Sequence, residues 1–487
     1  MRFAIIPLLF TLLQAQDKKE EENKKDTPDV ATKQDTVTID GQKIDYKVTA
    51  STLTLKTDKD EDRASIFHVA YERIGMADRH KRPVVFAFNG GPGSSAVWLH
   101  MGALGPRIVP TTPDGTNTLP PPLTVEEHPP SILDVADIVF IDPVSTGFSR
   151  AEGKTNANEF HGVNGDIRSV GDFIRRWVTE NDRWASPKYL LGESYGGIRA
   201  TGLADHLQDE FGMTLNGVVL LSSLIDFRTL RSNTADDLSY AVFFPGLTAT
   251  SHYHKKIEGN RDQLVEQART FAFGPYSQAL LRGAAISAGE KKSIADQMAK
   301  FTGLPSSLFV ETNLRLSATR YRKELLRDES KVLGRFDARI AWPATSPESN
   351  YPSYDPSYAV AYGAFATAIN DYLSRDLGWE GHHPYQILSG RVNSSWNWGT
   401  NNSVLNMTRS LESALRENPN LKILVMCGYT DLATPPANMQ YSIDHLFNIP
   451  AERRKAIKFT WYEAGHMFYL NQPDLEKMRK DLVDFIK

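Results

Sequence analysis

The chain has 487 residues, 41% of them hydrophobic and 23% charged, with a formal net charge of −4. That balance is ordinary for a soluble globular protein and argues against nucleic acid or an anionic membrane surface as the main partner. Cys427 is the single cysteine, so no intramolecular disulfide can form and stability has to come from the size of the core.

The first residues read as an address rather than a fold. Arg2 is followed by an apolar run, Phe3 to Leu13, and then by Gln14-Ala15. The run is too short to span a bilayer, so residues 1–15 are expected to be a signal peptide, cut near Ala15. The protein is therefore expected to be exported, to the periplasm or the extracellular medium. Residues 16–35 mix Lys, Glu and Asp almost without apolar side chains, the composition of a disordered charged tether. No later run is apolar enough for a membrane span.

The rest of the chain, residues 36–487, is long enough for a large core with an insertion. Thr36 to Leu55 alternates around Asp40-Gly41, which suggests a hairpin at the edge of a sheet, and Ala64 to Arg73 continues it. Arg82 to Phe88 is almost wholly apolar, as a strand buried on both faces must be, and opens into Asn89-Gly90-Gly91-Pro92-Gly93-Ser94-Ser95. Further strands are predicted at Asp137–Ile141, Tyr189–Leu191 and Gly217–Leu221, with helices over Asp166–Asn181 and Ile198–Phe211. Strands alternating with helices mean a mostly parallel sheet covered on both faces, an α/β architecture. From about Thr229 to Tyr385 the pattern turns to helices and loops, for example Asp262–Phe271 and Leu314–Leu326. The sheet pattern resumes with Leu421–Cys427 and Ala456–Trp461 and closes with a helix over Pro473–Ile486. The expected organisation is a core split between residues 36–228 and 386–487, with residues 229–385 inserted as a mainly helical cap over the catalytic edge.

The chemistry is concentrated at strand ends. Gly192-Glu193-Ser194-Tyr195-Gly196 stands between a predicted strand and a predicted helix, the context of a nucleophile elbow. An elbow serine needs a base, an orienting acid and an oxyanion hole. Asp431 and His466 each lie just beyond a predicted strand and follow Ser194 in the order serine, acid, histidine. Asp431 would accept from the imidazole and fix its tautomer, and His466 would take the serine proton. The amide of Tyr195 and that of Gly91, from the glycine-rich turn, are the natural oxyanion donors. A phosphate loop is the competing reading of that turn. It fails because the G-K-[ST] ending is missing and Pro92 removes a donor. No metal or cofactor is called for: H-E-x-x-H is absent, and His252, His254, His382 and His383 read as solvated loop residues.

These residues together resemble the serine carboxypeptidase family, in its bacterial-type branch. The resemblance rests on Phe88 to Ser95, Gly105-Pro106, Phe140 to Pro143, Gly147-Phe148-Ser149, Gly192 to Gly197, Asp431 and Gly465-His466-Met467. It implies an α/β-hydrolase fold and release of single residues from peptides with a free C-terminus. It also implies Ser194, Asp431 and His466 as the triad and the amides of Gly91 and Tyr195 as the oxyanion hole. Asn89, Gly90 and Glu193 are implied as the group that binds the substrate's terminal carboxylate. That last role has a physical logic, since two carboxyls sharing one proton attract, so acidic pH is expected to favour peptide cleavage. Two departures stand out: Ser94 occupies a position where many members carry cysteine, and Ala103 one where they often carry a second glutamate. An esterase or acyltransferase using the same triad is the alternative enzyme. A non-catalytic binding protein is a third reading, against which the complete triad argues.

Overall fold

The computed structural model describes residues 30–232, 235–381 and 383–487. The expected signal peptide and most of the expected tether thus lie outside the described residues, as does His382. One sheet organises the fold. Its nine main strands are β1 (Val30–Ile39), β2 (Gln42–Lys56), β3 (Asp62–Arg73), β4 (Val84–Phe88), β5 (Asp137–Ile141), β6 (Lys188–Glu193), β7 (Gly217–Leu221), β8 (Lys422–Gly428) and β9 (Lys458–Tyr462). They lie in the order β1-β2-β3-β5-β4-β6-β7-β8-β9, with the short strand Arg150–Ala151 paired to β3. The first three strands run antiparallel to their neighbours, and the rest are parallel. The helices that position the site are α1 (Val163–Glu180), α2 (Gly196–Phe211), α3 (Leu238–Tyr253), α4 (Pro356–Asp371), α5 (Thr408–Glu417) and α6 (Gln472–Ile486).

Alternation along the central strands decides which helix packs where. Phe86, Phe88, Leu190, Leu220 and Val425 face α1, α2 and α5 in one apolar layer. Val85, Ala87, Leu191, Leu221 and Met426 face α4 and α6 in the other. With both faces covered, the parallel strands have to be apolar throughout, which is why β4 and β7 are fully buried. The edge hairpin turns at Asp40-Gly41, both with positive φ, 48° and 75°, as a two-residue primed turn requires. Among the described residues no helix is long and apolar enough to cross a membrane.

Three expectations change. Val30 to Asp35 is not tether but the start of β1, paired residue for residue with β2. Its charges suit an exposed sheet edge, and Asp35 is held by Arg107 at 2.5 Å, so its composition mimics a disordered segment. The segment read as cap also ends earlier than expected. Residues from α3 to Leu333, including Phe244, Phe271, Met298 and Tyr321, share a separate apolar cluster. From α4 onward, Phe365, Ile369, Tyr372, Trp379 and Tyr385 pack into the main core instead. Finally, His252 and His254 sit at the end of α3, where His254 Nε2 donates to Ala338 O at 2.7 Å, and not in a solvated loop.

Under the sheet, one carboxylate gathers three chain segments. Asp137, at the start of β5, accepts from Arg82 Nε and from Arg183 Nη1, each at 2.6 Å, and all three side chains are buried. Removing one member of a buried charge cluster strands the others. Asp137→Ala is therefore expected to cost about 3–5 kcal/mol, read as a lowered unfolding midpoint in urea, with Asp137→Asn losing less.

Candidate active site

The carboxyl ends of β4, β6, β8 and β9 converge on one side of the sheet. β6 lies between β4 and β7 with Phe88 opposite Gly192 and Leu221 opposite Glu193. The chain then turns sharply into α2. Ser194 holds a left-handed φ of 61°, a conformation non-glycine residues adopt at a cost, and its amide is tied to Leu221 O at 3.1 Å. A Cβ on Gly192 would strike the carbonyl oxygen of Gly196, so only glycine lets the turn close. Beneath the elbow, Arg199 donates to Asp166 Oδ2 at 2.9 Å and to Asn89 O, and its guanidinium lies over the rings of Phe88 and Tyr195. This buried pair fastens the glycine-rich turn to the elbow.

Asp431 and His466 come together because the loops that carry them are zipped by backbone bonds. Tyr429 N donates to Tyr462 O at 2.9 Å and Thr430 N to Ala464 O at 3.3 Å. His466 Nδ1 donates to Asp431 Oδ2 at 2.8 Å, leaving Nε2 as the outward-facing nitrogen. Asp431 Oδ1 accepts from the amides of Ala433 and Thr434, at 2.7 and 2.9 Å. The same aspartate is thus a turn former through one oxygen and a partner of histidine through the other. Burial opposes a charged imidazole, but Asp431 and its hydrogen bond outweigh that, and the His466 pKa is raised above its ordinary 6.5. Ser194 and His466 border one cavity of about 360 Å3 together with Asn89, Gly90, Gly91 and Glu193.

Glu193 points into the molecule from the end of β6. Its Oε2 accepts from Asn89 Nδ2 at 2.7 Å and from the Tyr469 hydroxyl at 2.9 Å. Asn89 Oδ1 in turn accepts from Leu99 N at 3.2 Å, which fixes the amide orientation and, among the described residues, leaves one Nδ2 hydrogen without an acceptor. Burial raises the Glu193 pKa to about 7, against the opposing pull of His466 and of the Tyr469 and Asn89 hydrogen bonds. A Cβ on Gly90 would collide with the amide nitrogens of Tyr195 and Gly196, so the turn presses directly on the elbow. Among the described residues the amides of Gly91 and Tyr195 donate to no acceptor, and both residues line the second cavity beside Ser194. Ala103 is buried and brings no carboxylate.

All eight residues singled out in the sequence therefore meet at one edge. Sequence reasoning missed three partners. The Thr434 hydroxyl lies 2.6 Å from Ser222 O, 2.8 Å from Asp431 Oδ2 and 3.0 Å from His466 Nδ1. Tyr469 is three residues past His466, a spacing that carries meaning only once the short helical turn Phe468–Leu470 is seen. Segment 335–338 of the insertion also docks on both loops: Leu432 N donates to Arg335 O, His466 N to Phe336 O and Ala338 N to Thr430 O. Nothing in its sequence announces that. Of the insertion's aromatics, Tyr240 and Phe243 line the cavity of about 430 Å3 beside Ser194, whereas Phe244 packs in the cap cluster and Tyr253 is exposed.

Comparison with known proteins bears on the family and the fold. The family model described as serine carboxypeptidase matches residues 51–460. The lysosomal protective protein of Mus musculus is 27% identical over 172 residues, 35% of this chain and 33% of that protein. Serine carboxypeptidase-like 20 of Arabidopsis thaliana is 32% identical over 132 residues, 26% of this chain and 25% of that protein. The aligned part thus spans about a third or less of those relatives. Among solved structures, a prohormone-processing carboxypeptidase from Saccharomyces cerevisiae superimposes with a TM-score of 0.55 at 17% identity, over 90% of this chain and 91% of that one. The shared fold is the α/β-hydrolase fold.

The Glu193 carboxyl also makes a prediction that needs no substrate. Its folded pKa of about 7 lies above the ordinary 4.5. Between those values the folded protein keeps a proton that the unfolded chain has lost, so stability falls as pH rises and the loss is complete above the folded value. Glu193→Gln, which mimics the protonated side chain, is expected to be more stable than the parent by up to roughly 3 kcal/mol above pH 7 and equal to it near pH 4, measured by denaturation at each pH.

Proposed function

Because the chain belongs to the serine carboxypeptidase family, we propose that it releases C-terminal amino acids from peptides through an acyl-enzyme on Ser194. The observation that carries this reading is the buried Glu193–Asn89 pair beside the elbow, in the cavity shared by Ser194 and His466. In neutral form Glu193 donates from its protonated carboxyl to a substrate carboxylate, and Asn89 adds its unused amide hydrogen. The terminal carboxylate thereby fixes which carbonyl reaches Ser194. With Ala103 in place of a second acid, the shared proton lies between Glu193 and the substrate itself. Gly90 belongs to this group through its backbone.

The reaction follows from those positions. Ser194 attacks the last peptide carbonyl while His466 Nε2 takes its proton, the ring being held by Asp431. The amides of Gly91 and Tyr195 bind the oxyanion. When the C–N bond breaks, His466 returns the proton to the departing amino group. A water molecule, deprotonated by His466, then hydrolyses the ester and frees Ser194. The cavity that receives the departing residue is walled by Trp98, Phe336, Tyr358 and Met467, which favours apolar side chains. On the same reading the enzyme is exported, periplasmic or extracellular, which rests on the apolar run Phe3 to Leu13.

Two titrations set the working pH, and they oppose each other. Attack needs neutral His466, and because Asp431 raises its pKa above the ordinary 6.5, the base is lost at a higher pH than a free imidazole would lose it. Carboxylate binding needs protonated Glu193, lost as pH rises above about 7. Peptide cleavage is therefore expected to be bell-shaped, with an alkaline limb near the Glu193 value of about 7 and an acidic limb set by His466. Glu193→Gln is expected to remove the alkaline limb alone. A kcat/KM for a blocked dipeptide that climbs steadily from about pH 5 to 8 contradicts the role given to Glu193.

Substrate form separates peptidase from esterase. A peptide with a free C-terminus is expected to be cleaved roughly 100-fold faster than its amide, which cannot take the charge-assisted bonds. Equal rates on acid and amide, with a much faster ester, would favour the esterase or acyltransferase reading. Asp431→Asn is expected to lower kcat by about 10⁴-fold at an unchanged melting temperature, because the wrong tautomer of His466 is then favoured.

A further inference from the structure

The second cavity beside Ser194 carries positive charge that the reaction does not use. It holds about 430 Å3, with Gly91, Ser194 and Tyr195 on its sheet side and Arg231, Arg322 and Arg335 among its lining residues. Among the described residues no aspartate or glutamate lines it. Arg322 is only 6% exposed. Its Nε donates to Leu333 O at 2.9 Å, but among the described residues its buried Nη2 meets no hydrogen-bond acceptor and stands 3.6 Å from Asp355 Oδ1. That carboxylate oxygen is already engaged by Arg335 N and by the amide and hydroxyl of Ser357, at 3.0, 3.1 and 2.6 Å. A buried guanidinium donor with no protein acceptor is unfavourable unless a water or a bound anion completes it.

The other two cations are equally available. Arg231 lies over the rings of Phe227 and Trp398, 5.3 and 5.1 Å from their centroids, and Arg335 over Phe336 at 5.3 Å. Among the described residues neither guanidinium has an ion-pair partner. Stacking holds such groups in place while their edge N–H donors stay free for a planar anion. Two carboxylates, Asp236 and Asp237, line the adjoining cavity, where Asp237 is bound by Arg315 at 2.5 Å.

The direction of the substrate follows from the proposed function, on which this step rests. If Glu193 and Asn89 hold the terminal carboxylate, the departing residue fills their cavity and the acyl part of the substrate lies in the arginine-lined one. We propose that this cavity selects peptides whose penultimate residue, the one attacked by Ser194, carries a carboxylate side chain. Arg322 supplies the buried donor, and Arg231 and Arg335 close around the same anion from the exposed side.

The test compares kcat/KM for N-blocked Glu-Ala, Gln-Ala, Leu-Ala and Lys-Ala with free C-termini, and for the α-ethyl esters of N-blocked Glu and Gln. The esters fill the acyl cavity without using the carboxylate-binding group. A Glu-to-Gln ratio of about tenfold or more is expected in both series, shrinking towards one in Arg322→Gln, in Arg231→Gln and at high salt. Because the ratio is read within each variant, a general loss of activity does not imitate the effect. Arg231 is exposed, so its variant keeps the test open if loss of buried Arg322 impairs folding. A ratio near one in the parent enzyme, or one that survives both substitutions, overturns the inference. Refusal of the dipeptides with Glu-preferring cleavage of the esters sinks the carboxypeptidase reading and leaves the acyl-side selectivity standing. No turnover in either series overturns both.

Discussion

Ser194 is held at a φ of 61° in the turn between β6 and α2, and most of the surrounding structure serves to keep it there. The strain of such a backbone is tolerated only where its neighbours over-determine it. Here the restraints come from three directions. The parallel register fixes β6 between β4 and β7. The Ser194 amide is bound by Leu221 O. The Arg199–Asp166 pair clamps the Asn89 turn against the start of α2. The proposed carboxylate-binding residues and the proposed oxyanion donors flank this same strained turn.

The insertion takes part in this geometry as more than a roof. Its segment 335–338 bonds by backbone to the loops of Asp431 and His466, and the Phe336 ring lies 5.2 Å from the His466 ring. Leu432, next to Asp431, is a member of the cap cluster. The same segment carries Arg335, which borders the cavities on both sides of Ser194. Placement of the proposed base and the shape of both cavities beside Ser194 therefore share one short stretch of chain. Backbone hydrogen bonds join this segment directly to His466 and to the loop of Asp431.

Much of this was legible in the sequence where local chemistry and tertiary role coincide. Val84 to Phe88 is apolar on both faces because helices cover both faces. Gly192 is glycine because the elbow excludes a Cβ. The residues that escaped are those whose role depends on a long-range partner. Thr434 reads as an ordinary turn residue until Ser222 and His466 are beside it. Tyr469 gains its meaning from Glu193, 276 positions earlier. Val30 to Asp35 has the composition of a tether, and pairing with β2 alone makes it a strand. The helix over Pro356–Asp371 looked like the continuation of a cap, since periodicity says that a face is apolar but not which core it joins.

Activation of the Ser194 hydroxyl by His466, braced by Asp431, is the proposal on which the rest of the chemistry depends. Its most direct measurement is the rate of modification by a fluorophosphonate, with the adduct located by peptide mass spectrometry. A single adduct on the Ser194 peptide is predicted, forming more slowly as pH falls through the raised pKa of His466 and by about 10³-fold or more in His466→Ala. Modification at another residue, or an undiminished rate on Ser194 without the imidazole, would contradict it.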